Sequence, residues 1–148
     1  MTSIVICANI IEKDNKFLIV KETKKIAKNL YNFPGGTLEV NETIVEAAIR
    51  EAKEETGLTI KPKNLIKIVQ IPKSKLGYNL IVFVFNSEII SGGLTTSEEH
   101  PKVKFASLEE IKELDKNNLL RFGSYMLDAI NSYLNNESID LSSLKFYQ

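Results

Sequence analysis

The chain has 148 residues, 43% hydrophobic and 26% charged, which suits one globular domain with its own core and leaves no length for a second of ordinary size. Nineteen Lys and Arg balance nineteen Asp and Glu, so no global field draws the protein to nucleic acid or to an anionic membrane, and electrostatic arguments must rest on local clusters. No apolar run approaches the roughly 18 residues of a bilayer crossing, and MTSIVICANI lacks a basic start and a small-residue cleavage site, so a cytoplasmic protein with no membrane partner is expected.

Residues 3–11 and 16–22 are β-rich runs joined by EKDN, which reads as a hairpin. The single cysteine, Cys7, sits inside the first run and reads as a small core residue; no disulfide can form within the monomer. A lysine-bearing loop from Thr23 to Asn29 follows, then LYNF, broken by Pro34, Gly35 and Gly36. Residues 43–56 lack Gly and Pro and read as a helix, with Gly57 placed for a left-handed C-terminal cap. Thr43 and Glu46 have the spacing of a capping box, although Asn41 competes for the cap.

Strands are predicted over 64–71 and 78–90, and LIVFVF, apolar on both faces, suggests a central strand covered on each side. Ser91, Gly92 and Gly93 mark a turn. A short strand around 103–105 leads into SLEEIKEL, where Ser107 and Glu110 repeat the capping-box spacing, and a last amphipathic helix is predicted over about 118–134. The body is assigned to 1–135 and a tail to 136–148; the tail is either loose, or docks Leu141, Leu144 and Phe146 on the body or on a second subunit, which leaves a homodimer open. Strands on both sides of a helix, then more strands and another helix, predict an α/β (α+β) sandwich with a mixed sheet between helical layers.

Five glutamates fall between positions 42 and 55, against only Arg50 and Lys53. On a helical wheel of about 100° per residue, Glu51, Glu54 and Glu55 share an arc of about 100°. Val45, Ala48, Ile49 and Ala52 form the adjoining core face, and Ala47 lies within the acidic arc, small enough to leave space above it. Two unit charges 5 Å apart repel by about 3 kcal/mol at an effective dielectric of 20, so something should offset the crowding. Arg50 can pair with Glu46 or Glu54, and a hard divalent cation such as Mg2+, completed by water and phosphate, fits the remaining excess. A solvated acidic helix face is the plainer alternative on the helix alone.

From Gly36 the chain runs Gly, five residues, Glu42, seven residues, Arg50, Glu51, Ala52, Lys53, Glu54, Glu55, Thr56, Gly57, Leu58. This resembles the Nudix box, GX5EX7REUXEEXGU, with every fixed position filled and Ala52 where the family usually has a bulkier aliphatic. FPGG and the preceding hairpin extend the resemblance over about residues 3–115. It implies an α/β/α sandwich and Mg2+- or Mn2+-dependent hydrolysis of a nucleoside diphosphate linked to another group. It also implies that Glu54 and Glu55 ligate metal, that Glu51 is a ligand or part of the base apparatus, and that Arg50 orients a catalytic glutamate. The carbonyl of Gly35 or Gly36 would reach the metal, and Glu42 would hold loop and helix together or touch metal through water. MutT-like members take a further carboxylate from a loop ahead of a later strand; SEEHPKVKF offers Glu99, with Glu98 as second choice.

The chemistry agrees with the resemblance. Phosphoanhydride cleavage needs neutralised non-bridging oxygens, a water positioned in line, and a base or metal to activate it. Lys21, Lys24, Lys25 and Lys28 could form a lip that receives polyphosphate, against the alternative of a solvated loop. Tyr31, Phe33 and Tyr78 could stack on a base, against the alternative of core packing. His100 reads as a loop histidine, or as a proton carrier. The leading substrate class is a nucleoside tri- or diphosphate or a similar small organic pyrophosphate; the hairpin, FPGG and C-terminal helix also look similar to small Nudix phosphatases acting on nucleotides and thiamine-precursor pyrophosphates. The alternatives are an ADP-ribose or dinucleoside polyphosphate hydrolase, disfavoured because many ADP-ribose enzymes carry an N-terminal extension, and a non-catalytic sensor or binding module, disfavoured because the box glutamates are all present.

Overall fold

The computed structural model describes residues 2–23, 27–72, 74, 77–96 and 102–147. Strand β1 (Ser3–Ile10) lies between β5 (Gly35–Thr37) and β7 (Asn79–Ser91), and β6 (Thr59–Ile71) joins β7 to the short β9 (Ile139–Asp140) in a five-stranded sheet. It is mixed: β1 and β7 run parallel, and the other neighbours are antiparallel. A second sheet is centred on β3 (Lys16–Lys21), with β8 (Val103–Ser107) on one edge and β2 (Glu12–Lys13) and β4 (Tyr31–Asn32) sharing the other.

The large sheet is apolar on both faces because helices cover both. Alternate residues divide between them: Cys7, Leu65 and Phe85 pack with Ala47 and Ala48 of helix α1 (Ile44–Thr56), whereas Ala8, Ile66, Val82 and Val84 pack with Ile111 of α2 (Leu108–Lys116) and Met126 and Ile130 of α3 (Tyr125–Leu134). The predicted α/β/α layering and central LIVFVF strand are therefore present. Among the described residues no helix is long and apolar enough to cross a membrane.

Both predicted capping boxes form, Thr43 with Glu46 and Ser107 with Glu110, and Gly57 ends α1 in the left-handed region at φ 81°. Two predicted elements need correction. The hairpin predicted through EKDN forms but is short: β1 stays with β7 as far as Ile10, the chain crosses sheets at Ile11, whose carbonyl accepts the Leu18 N–H, and Glu12–Lys13 folds back on β3 through Asp14 and Asn15, both at positive φ. The last helix begins at Tyr125 and not near 118. Tyr31 N–H donates to the Leu119 carbonyl and Arg121 N–H to the Tyr31 carbonyl, so 119–121 lies alongside β4, and Asn118, Phe122 and Gly123 take positive φ at its ends.

The tail returns to the body. Ile139–Asp140 pairs with Asn64 and Leu65, and Leu141 and Leu144 pack on the cluster under α1, whereas Phe146 is exposed.

The helix carrying the acidic residues thus has a defined end, and that end can be tested. A Cβ at Gly57 would adopt a left-handed backbone and sit 2.6 Å from both the Gly93 carbonyl oxygen and Thr95 Oγ1. Gly57→Ala should destabilise the fold by about 1–2 kcal/mol, lowering Tm by roughly 3–6 °C in thermal unfolding; an unchanged Tm would show that the cap carries no strain.

Candidate active site

Helix α1 begins three residues after Asn41, which takes a left-handed conformation at φ 69° and turns the chain toward the Thr43 cap. Strand β5 brings Gly35 opposite Ala8 and Gly36 opposite Cys7. These glycines form a strand, not a turn, and are required by close approach: a Cβ on Gly35 would collide with the Cys7 carbonyl and Ala8, and one on Gly36 would lie 2.5 and 2.6 Å from the two carboxylate oxygens of Glu51. Glu51 therefore lies directly over bare backbone.

Arg50 organises the acidic groups. Its Nε and Nη2 donate to the two carboxylate oxygens of Glu42 at 3.0 and 2.6 Å, a bidentate pair, and Nη2 also donates to the Thr37 carbonyl at 3.0 Å. Nη1 donates to Glu51 at 2.7 Å, and more weakly to Glu54 at 3.4 Å, with Glu39 at 3.7 Å. Glu42 in turn accepts the Glu39 N–H at 2.8 Å, so it joins loop to helix as expected. Of the two partners expected for Arg50, Glu54 is in reach, but Glu46 is committed to the cap through Thr43 N–H.

The electrostatics follow from this geometry. The Arg50 hydrogen bonds hold the Glu42 carboxyl below its ordinary range, and Glu42 and Glu51 together keep Arg50 charged. Burial raises the Glu51 carboxyl above its ordinary value; Arg50 works against this, and the charges of Glu54 and Glu39 add to it. Burial, reinforced by Glu42 and Glu51, pushes the Cys7 thiol up to about 12, which leaves it a neutral core group beside the site.

The three box glutamates on α1, Glu51, Glu54 and Glu55, share one side of the helix but differ in environment. The Glu54 side chain is 60% exposed, that of Glu51 16%, and Glu55 as a residue 6%. The wheel underestimated the buried arc: Ala47 is fully buried against β1 and leaves no open space, while Ala52 meets Leu18 and Ile11 on the other flank. A helix covered on two flanks turns Glu51 and Glu55 inward. Glu55 lies near Tyr125, whose phenol is raised by burial, opposed by Arg121, and raised further by Glu55 and Glu22. Glu22 and Arg121 form a shielded ion pair at 3.1 Å.

The other sequence candidates scatter. Phe33 and Tyr31 are buried, Phe33 edge-on to Tyr125, so neither presents a face to a base; core packing decides their place. Lys21 pairs with Tyr31 across β3 and β4, with its Nζ 5.8 Å from the Tyr31 ring, on the face opposite Leu18 and hence away from α1. Tyr78 is exposed and precedes Asn79, which pairs with Ser3, well along β1 from the Cys7–Gly36 pair. Glu98, Glu99, His100, Lys24 and Lys25 lie outside the described residues. Sequence reasoning missed Glu39, the Glu22–Arg121 pair and Asn9. For Asn9 a signal existed, since it is a polar residue in an otherwise apolar strand.

Whether these residues suit a divalent ion can be judged from their donors. The side-chain atoms nearest a Gly36 Cβ are those of the Glu51 carboxyl, a hard oxygen donor, and a single guanidinium faces four carboxylates, those of Glu39, Glu42, Glu51 and Glu54. Among the described residues no three His, Cys, Asp or Glu side chains gather in an arrangement that could by itself hold a metal ion. This fits an ion held by one or two carboxylates and completed by water and substrate phosphate, the coordination that Mg2+ favours.

The NUDIX domain family matches residues 1–124. Over 105 residues the chain is 37% identical to an ADP-ribose pyrophosphatase of Methanocaldococcus jannaschii, covering 71% of this chain and 62% of that one, so the match spans less than two thirds of the relative. It is 36% identical to the phosphatase NudJ of Escherichia coli K12, covering 70% of this chain and 68% of the other. A NUDIX hydrolase from Nitrosomonas europaea has the same fold at a TM-score of 0.88 and 27% identity, covering 99% of this chain and 98% of that one. With the box complete from Gly36 to Leu58, its Arg50 bonded to Glu42 and Glu51, and Glu51 set over Gly36, the chain belongs to the NUDIX family of hydrolases.

Proposed function

We propose that the protein hydrolyses a phosphoanhydride bond in a nucleoside tri- or diphosphate, or in a similar small organic pyrophosphate, with Mg2+ or Mn2+. The observation that carries this reading is the set of carboxylates drawn around Arg50 with Glu51 over the bare Gly36 backbone. Glu51, Glu54 and Glu55, with Glu99 and the Gly35 or Gly36 carbonyl, are the proposed ligand and base set. A bound divalent ion would supply charge neutralisation at the non-bridging oxygens and an acidified water. Arg50 holds Glu51 and Glu42 in place, and Gly36 keeps the approach to Glu51 clear of side chain.

A second reading, cleavage of ADP-ribose, is favoured by the name of the 37% identical relative. Both readings are tested by phosphate or nucleotide release over a panel of nucleoside triphosphates, nucleoside diphosphates and ADP-ribose, with and without Mg2+. Metal-dependent release from one class selects between them. No release from any, with retained ligand binding, would point to a non-catalytic module.

Two variants probe the proposed roles. Glu54→Gln alters an exposed side chain, so Tm should stay near wild type while kcat falls about a hundredfold or more; wild-type turnover would remove Glu54 from the ligand set. Gly36→Ala places a methyl against the Glu51 carboxylate and should lose comparable activity, whereas an active Gly36→Ala enzyme would refute the requirement for bare backbone.

The Arg50–Glu42 pair also predicts a pH dependence of stability. Because the Glu42 carboxyl is held below its ordinary value, the pair's contribution is fully present above about pH 4.5 and is lost as pH falls through the lowered folded-state value. Arg50→Ala should therefore cost roughly 1–3 kcal/mol at pH 7, with the Tm gap to wild type narrowing below pH 4.5. A gap that widens in acid would contradict the pairing.

A further inference from the structure

Asn9 is fully buried on the face of β1 that meets α1, among apolar neighbours. An aliphatic residue would pack there without needing any partner, whereas a buried amide is tolerated only when its donors and acceptor are satisfied. All are. Nδ2 donates to the Pro34 carbonyl at 3.2 Å and to the Ala48 carbonyl at 3.0 Å, Oδ1 accepts the Ser87 hydroxyl at 2.8 Å, and the Asn9 N–H donates to the same Pro34 carbonyl at 2.9 Å.

The two carbonyls belong to the two backbone segments that form the proposed ion site. Pro34 is two residues before Gly36 on the way into β5, and Ala48 is one helical turn before Glu51 in α1. The two carbonyls can only accept, so they fix Nδ2 on their side, and the Ser87 hydroxyl, on β7, donates to Oδ1 and holds the amide from behind. Gly36 and Glu51 are already so close that one methyl would not fit between them.

We propose that Asn9 is a positioning residue for the reaction: its amide, braced by Ser87, fastens the β5 segment to α1 and thereby sets the distance between the Gly36 backbone and the Glu51 carboxylate. The inference rests on the reading of that pair as part of the ion site. Asn9 touches neither substrate nor ion; it acts through the spacing of groups that do. An aliphatic replacement would keep the packing volume and lose the direction, because dispersion contacts tolerate small slips that a pair of hydrogen bonds does not. Angstrom-scale displacement of a ligand set weakens ion binding and turnover before it unfolds the protein.

The test compares Asn9→Leu, Ser87→Ala and, as a control for lost stability, Met126→Ala in the core cluster on the opposite face of the sheet. Mn2+ binding without substrate is read from the electron paramagnetic resonance of the free ion, and kcat and KM are measured with Mn2+, all well below the lowest Tm of the set. Asn9→Leu should weaken Mn2+ binding about tenfold or more and lower kcat with little change in KM. Ser87→Ala should shift both in the same direction by less, and Met126→Ala should leave both unchanged despite its lower Tm. Should Asn9→Leu fail to fold, Ser87→Ala against Met126→Ala decides the matter. Wild-type Mn2+ affinity in the Asn9 and Ser87 variants overturns the inference alone. So does an equal loss in the Met126 control. A wild-type protein that neither binds Mn2+ nor cleaves any anhydride overturns the proposed function and this inference with it.

Discussion

One guanidinium holds the acidic face of this protein together. Arg50 reaches Glu42 through two hydrogen bonds, Glu51 through one, and the Thr37 carbonyl through another, so a single side chain joins the end of β5, the loop that follows it and the middle of α1. Without it, carboxylates within a few ångströms of one another would repel by about 3 kcal/mol per pair at an effective dielectric of 20. With it, the cluster remains short of positive charge among the described residues, because Glu39 and Glu54 lie at the outer edge of the same guanidinium. The cluster is thus braced and yet keeps the negative charge that the proposed cation site requires.

The fold makes this arrangement by placing α1 between two apolar surfaces. Ala47, Ala48 and Ala52 are small, so the helix sits close to β1 on one flank and to Leu18 and Ile11 on the other. That closeness turns Glu51 inward over Gly36 and buries Glu55, leaving Glu54 as the exposed member. Burial raises the affinity of Glu51 for a proton, and Arg50 limits the rise. The glycines of β5 complete the design, since a side chain at either position would strike β1 or Glu51.

Much of this was readable from residues that act locally. The capping boxes, the Gly57 cap and the box spacing depend on neighbours within a turn or two, and the structure has them where the sequence places them. What the wheel could not show is that α1 is covered on a second flank, because Leu18 comes from β3 and Ile11 from the crossover between the sheets, both remote from α1 in sequence. Arg50 pairs with Glu42 because Glu46 is drawn to the cap, a competition between two local rules. The late start of the last helix reflects the pairing of 119–121 with Tyr31, and the Glu22–Arg121 pair closes across 99 positions, beyond any local pattern. Aromatic residues near the FPGG segment looked available to a base and instead fill the core, as Phe33 does against Tyr125.

The most direct test is the anomalous scattering of a crystal grown with Mn2+ and a non-hydrolysable analogue of a nucleoside diphosphate derivative. The account requires a manganese peak within coordination distance of a Glu51 or Glu54 oxygen, with Arg50 still bound to Glu42 and a phosphate oxygen completing the shell. A crystal with the analogue bound and manganese absent from the Gly36–Glu51 region would contradict it.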